Sequence, residues 1–105
     1  GIGRVRDIRI GYLGGEGVYQ TREYADSMEL LSTQGNLAPG PDGPFSHIHV
    51  VLSDDDHVVQ GGHLFHATIH VTAELHLRVL DSGSETMRRE STASEFMALL
   101  FCAME

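Results

Sequence analysis

The run from Ala67 to Val79 constrains this chain more than any other, because apolar and polar residues alternate through it without a break. Ala67, Ile69, Val71, Ala73, Leu75, Leu77 and Val79 fall on one side; His66, Thr68, His70, Thr72, Glu74, His76 and Arg78 fall on the other. Successive side chains of an extended strand point to opposite faces. A period of two therefore predicts one long strand, with an apolar face on the core and a polar face that is wet or lines a site. The chain is expected to be built on β-sheet.

Shorter segments extend that reading. Arg4 to Leu13 alternates loosely through Val5, Ile8, Ile10 and Tyr12 and reads as a strand. Gly14 and Gly15 make a turn, Val18 to Tyr24 reads as a second strand, and Met28 to Ser32 as a third. Gly35 to Pro44 holds three glycines and all three prolines, so it is expected to be a loop. From Phe45 to Leu52 the pattern is extended again. Ser46, Ile48, Val50 and Leu52 share one face, and Phe45, His47, His49 and Val51 the other. The acidic run Ser53-Asp54-Asp55-Asp56 is a turn, and Val58-Val59 begins the return strand. Asp81 to Ser84 reads as a turn, and Thr92 to Met104 reads as a short helix or a last strand, with helix favoured for part of it. The fold class that results is α+β: a mainly antiparallel β-sheet of about six strands with little helix. At 105 residues it is one domain, 1–105, with a single modest core. Open edges in so small a sheet favour self-association.

Charge and cysteine usage exclude several roles. Fifteen carboxylates oppose seven basic residues, all of them arginine, for a formal charge of −8. Duplex binding needs clustered Lys and Arg to displace counterions, so this balance argues against nucleic acid as a partner. No apolar run approaches the ~20 residues that span a bilayer, and no charged start leads into an apolar stretch. Cys102 stands alone and cannot form an internal disulfide, which fits a reducing compartment and makes the cytoplasm the expected location.

Seven histidines are many for this length, and His47, His49, His57, His63 and His66 fall within one short window. In a strand, His-x-His puts both imidazoles on one face, about two residue rises apart. If Asp55-Asp56-His57 is the hairpin loop, His63 lies directly opposite His49; a two-residue loop would pair His63 with Ile48 instead, unless Gly61-Gly62 forms a bulge. Glycines before a ligand suit either a bulge or a close backbone approach. Both routes bring His47, His49 and His63 within reach of one ion. Three neutral nitrogen ligands suit Zn2+, or another divalent transition metal, and leave a fourth position for water or a small-molecule ligand. His66 and His70 make a weaker pair, His70 and His76 are too far apart to share an ion, and His57 is a turn residue. Glu74 and Glu29 are candidate proton carriers or supporting carboxylates, with an exposed strand carboxylate as the plain alternative for each.

Taken together, His47-Ile-His-Val-Val-Leu-Ser-Asp, Val58-Val-Gln-Gly-Gly-His-Leu and Thr72-Ala-Glu-Leu resemble the plant and prokaryote conserved (PPC) domain. The segments beginning at Ile2 and Met28 look like that family's preceding strands, and the resemblance runs from Ile2 to about Leu80. It implies an antiparallel α+β sheet assembled as a homotrimer, with a metal on His47, His49 and His63 as in prokaryotic members. It also implies an architecture like that of acetolactate decarboxylase, which makes a zinc-dependent decarboxylase or hydrolase an alternative function; a DNA-binding or regulatory scaffold module is another. Shared fold does not by itself establish chemistry. The family usually has a strand and a helix before the Ile-Gly segment, so the chain reads as a shortened member or a fragment. The Arg-Gly-Arg-Pro hooks by which plant members bind DNA do not occur here.

Overall fold

The computed structural model describes residues 1–80 and 87–101. Seven strands follow one another: β1 (Ile2–Leu13), β2 (Tyr19–Tyr24), β3 (Met28–Gly40), β4 (Gly43–Ser53), β5 (Val59–Glu74), β6 (Met87–Ser91) and β7 (Met97–Phe101). All pairings are antiparallel, and there is no helix among the described residues. Of the two readings of Thr92 to Met104 the strand holds and the favoured helix does not: a turn leads into β7. In that turn the Thr92 hydroxyl donates to the Phe96 carbonyl at 2.7 Å and accepts the Ser94 amide at 3.1 Å, so side chains take over from helical bonds. The turn expected at Asp81 to Ser84, and Cys102, lie outside the described residues. No described helix is long and apolar enough to cross a membrane.

Five strands run in the order β2-β1-β3-β4-β5, and β5 then pairs with β1, closing the sheet on itself. Closure removes most open edges. The enclosed face carries the core of Val5, Ile8, Ile10, Met28, Leu30, Val50 and Leu52, with Tyr24, Ile48, Leu64 and Ala67 packed against it. The spacing of Val5 and Ile8 breaks strict alternation because β1 bulges between Arg6 and Arg9, where Asp7 takes a φ of 50°.

Two expectations are corrected. Gly35 to Pro44 is not a loop: β3 and β4 pair through it to Gly40↔Gly43, leaving only Pro41 and Asp42 at the tip. β1 meets β3 only at Met28–Leu30, so the outer arm of this hairpin has few ladder bonds for a proline to forfeit. The Ala67–Val79 strand stops at Glu74, and its apolar face is not on the core of the single chain. Ile69 is 61% exposed, Val71 82% and Leu77 80%. β4 pairs with β5 only as far as His63, so Ile69 is already open to water, and a bulge follows between Ile69 and Ala73, opposite Gly3 and Val5, in which Val71 adopts a φ of 76°. A bulge interrupts the period of two, and the residues beyond it leave the enclosed face.

The hairpin from β4 to β5 follows the three-residue arrangement. Asp54 and Val58 close it through Asp54 N–Val58 O at 3.1 Å, and the Asp54 carboxylate accepts the Asp56 and Val58 amides, both at 2.9 Å. His57 supplies the left-handed residue that such a turn requires, with a φ of 62°.

Candidate metal centre

That turn sets the register. Ser53 pairs with Val59, Leu52 with Gln60, and His49 with His63. Val50 and Leu52 are buried, so the odd-numbered side chains of β4, His47 and His49 among them, emerge on the opposite face. The three-residue loop alone brings His63 across from His49, and no bulge is needed at Gly61-Gly62. These glycines serve close approach instead: a Cβ at Gly62 would stand 2.7 Å from the Gly11 carbonyl oxygen, and one at Gly61 2.7 Å from that of Val50.

One ligand nitrogen from each of His47, His49 and His63 lies within 4.8 Å of the other two. His47 Nε2 and His49 Nε2 are 3.3 Å apart. Nitrogens held by one tetrahedral zinc at about 2.1 Å would stand about 3.4 Å apart; the His47–His49 pair already has that spacing, and the His63 nitrogen lies within 4.8 Å of both. The protonation states suit an ion as well. Burial pushes the His47 pKa down, helped by the Arg89 guanidinium and by repulsion between neighbouring imidazoles; burial likewise lowers that of His63, helped by the same repulsion from His47 and His49. Neutral imidazoles are the form that ligates. The donor set fits a divalent transition ion held by three nitrogens with room for a further ligand.

The other predicted residues lie elsewhere. Glu29 is exposed and forms an ion pair with Arg4 at 3.5 Å, and Arg4 also reaches Asp55 at 3.2 Å. Glu74 is exposed at the end of β5, paired across the ladder with Ile2. His70 Nδ1 is 2.8 Å from the Ser27 hydroxyl, and His66 lies beside Thr68. None of these joins the group of three among the described residues.

A cleft of about 320 Å³ opens beside His47 and His63, bounded by Tyr19, Phe45, Phe65 and Phe96 with Glu95 and Met97. The Tyr19 ring stacks 4.6 Å from His63 and 5.1 Å from Phe65, and Phe96 stands 6.1 Å from His47. The β6–β7 hairpin is fastened over this face by Arg89, which is 3% exposed. Its guanidinium donates to the Met97 carbonyl at 2.8 Å and to Asn36 Oδ1 at 2.7 Å, and lies over the Phe45 ring. Sequence reasoning did not find this wall. Tyr19 lies on a distant strand, and Glu95 and Phe96 lie in the stretch expected to be helical; their spacing from the histidines carries no signal.

Fold and site together define a closed antiparallel β domain with a three-histidine centre at the mouth of an aromatic cleft. The chain belongs to the Plants and Prokaryotes Conserved (PCC) domain family, which matches residues 1–81. Among solved structures it is similar to the metal-containing protein AF0104 from Archaeoglobus fulgidus, at 42% identity and a TM-score of 0.60, over 65% of this chain and 49% of that one. It is also similar to a plant- and prokaryote-conserved protein from Pyrococcus horikoshii, at 25% identity and a TM-score of 0.72, over 99% of this chain and 70% of that one. A protein from Ralstonia eutropha, at 16% identity and a TM-score of 0.64 over 96% of this chain and 69% of that one, shares the fold. The chain thus spans about half the length of the Archaeoglobus protein. No curated protein matches it.

Proposed function

We propose that this domain is a metal-binding module in which His47, His49 and His63 hold a zinc-type divalent ion. The observation that carries this reading is the convergence of three imidazole nitrogens within 4.8 Å on two strands whose register is fixed by the intervening turn. The metal-containing Archaeoglobus relative supports it. Elemental analysis after dialysis tests it: the wild-type chain is expected to retain close to one ion, and His49→Ala none. A wild-type chain that emerges free of metal would end the proposal.

The module self-associates in this reading, as a homotrimer working in the cytoplasm. Its support is the apolar surface left by Ile69, Val71, Leu77 and Val79, which a single chain exposes to water. Sedimentation of the wild type and of Leu77→Asp checks this: a trimer that becomes a monomer is expected, and a wild-type monomer at high concentration would refute it.

A second reading, zinc-dependent decarboxylation or hydrolysis, draws on the cleft beside the histidines. A metal ion held by them would supply Lewis-acid polarisation of a substrate carbonyl. The chain's own part would be to hold the substrate body between Phe65 and Phe96 and to exclude water from one side. A screen of 2-keto acids and esters with metal-loaded protein tests it, and uniform inactivity counts against it. The formal charge of −8 opposes a DNA-binding role for the domain itself.

A further inference from the structure

The matched family pattern ends at residue 81, yet one wall of the cleft comes from beyond it. Glu95, Phe96 and Met97, at the turn into β7, face Tyr19, Phe65 and the histidines that the family part supplies. Four of the chain's seven aromatic residues border this one cleft. Among the described residues that line it, the Glu95 carboxylate is the only formally charged group. It is also held in place: Glu95 Oε1 accepts the Tyr19 amide at 3.2 Å, and the Glu95 amide donates to the Gly17 carbonyl at 2.8 Å. Two arginines lie over lining rings without lining the cleft themselves: Arg89 over Phe45, committed to Met97 and Asn36, and Arg9 over Phe65 at 5.5 Å from the ring centre.

We propose that the β6–β7 segment makes this cleft a recognition site for a small amine. Its apolar or aromatic body would lie between Phe65 and Phe96, with its ammonium against the Glu95 carboxylate. A volume of about 320 Å³ accommodates a single-ring ligand. Aromatic faces attract cations and tolerate apolar bodies, whereas a lone carboxylate with no lining Lys or Arg repels an anion. The charge preference stands without a metal; only the further suggestion that the ligand's other end reaches the ion rests on the metal-binding reading.

The probes are phenethylamine, 2-phenylethanol and 3-phenylpropionate, titrated into the chelator-treated 105-residue chain. Binding is followed by NMR shifts of the Met97 methyl and of the His47 and His63 rings. The amine is expected to bind about threefold to fivefold more tightly than the alcohol, as for a solvent-accessible ion pair, and the carboxylate most weakly. Glu95→Gln keeps an acceptor for the Tyr19 amide and removes the charge, so it should abolish the amine's advantage and leave alcohol binding unchanged. Phe96→Ala should weaken all three probes together. Equal binding of the three, tightest binding of the carboxylate, no saturable binding, or an amine preference that survives Glu95→Gln would each overturn the proposal. Because the protein is metal-free throughout, none of these outcomes depends on whether the histidines hold an ion.

Discussion

The two halves of β5 belong to one continuous strand and differ in what surrounds them. Residues Val59–His63 are laced to β4, and at His63 and Leu64 the strand is also bonded to β1. Residues 66–74 have β1 alone, through a ladder that bulges. The first half sits beside Val50 and Leu52 and presents His63 at a defined place; the second leaves Ile69 and Val71 in water. An apolar stripe specifies that a surface must be covered. A neighbouring strand decides whether the same chain covers it.

The largest expected effect breaks the laced region itself. Leu52 is fully enclosed, so Leu52→Ala should cost about 3 kcal/mol of unfolding free energy, from lost transfer and the cavity left behind. Ile69→Ala, on the open half, should change the stability of the dissociated chain by less than about 0.5 kcal/mol, because its side chain is 61% exposed. Urea denaturation at low protein concentration compares the two, and equal losses would dissolve the distinction. If the open face is covered by another copy, the Ile69→Ala cost should grow with protein concentration.

The metal sharpens the same contrast. Zinc at a hundred times its dissociation constant should add about 2.7 kcal/mol to the folded state. His49→Ala should lose that gain, whereas Ile69→Ala should keep it. Melting curves with and without zinc read the difference; a zinc-induced rise that survives His49→Ala would place the ion elsewhere.

The next effect is one of pH, and its sign follows from burial. His47 and His63 have pKa values lowered in the folded chain relative to about 6.5 in the unfolded one. At neutral and higher pH both states are unprotonated and nothing is lost. As pH falls below about 6.5 the unfolded chain takes up protons before the folded one does, so stability declines and then levels once the folded pKa values are passed. The metal-free wild type should therefore melt progressively lower from pH 7 to 5. A protein with both histidines replaced by Gln should show a shallower slope, and identical slopes would mean that these rings do not titrate as their burial requires.

Much of this was legible in the sequence, for reasons that also show where legibility ends. Phe45 to Leu52 alternates cleanly because one face is buried and the other is not, and this placed His47 and His49 together. The spacing across Asp55-Asp56-His57 put His63 opposite His49 because hairpin register is a local property. The outer arm of β3 and β4 was hidden by its prolines, which are tolerated there only because few other strands bond to it. The exposure of Ile69 to Val79 was hidden because neither the departure of β4 after His63 nor the bulge at Val71 leaves a mark in an alternating sequence. Glu95 and Arg89 were invisible as site residues, since the hairpin that carries them reaches the histidines only through tertiary packing.

The smallest effect asks what holds the register of the laced half. His57 is exposed, stands apart from the three ligands, and occupies the left-handed region at a φ of 62°. That conformation costs a residue with a Cβ about 1 kcal/mol, and glycine avoids the cost while losing more chain entropy on folding. His57→Gly should thus stabilise the chain by about 0.5 kcal/mol at most. If the ladder from Ser53↔Val59 to His49↔His63 fixes the register, zinc affinity should not change. A weakened affinity in His57→Gly would instead mean that the stiffness of the turn, rather than the strand bonds beyond it, keeps His63 facing its partners. Calorimetric titration of the two proteins decides between ladder and turn.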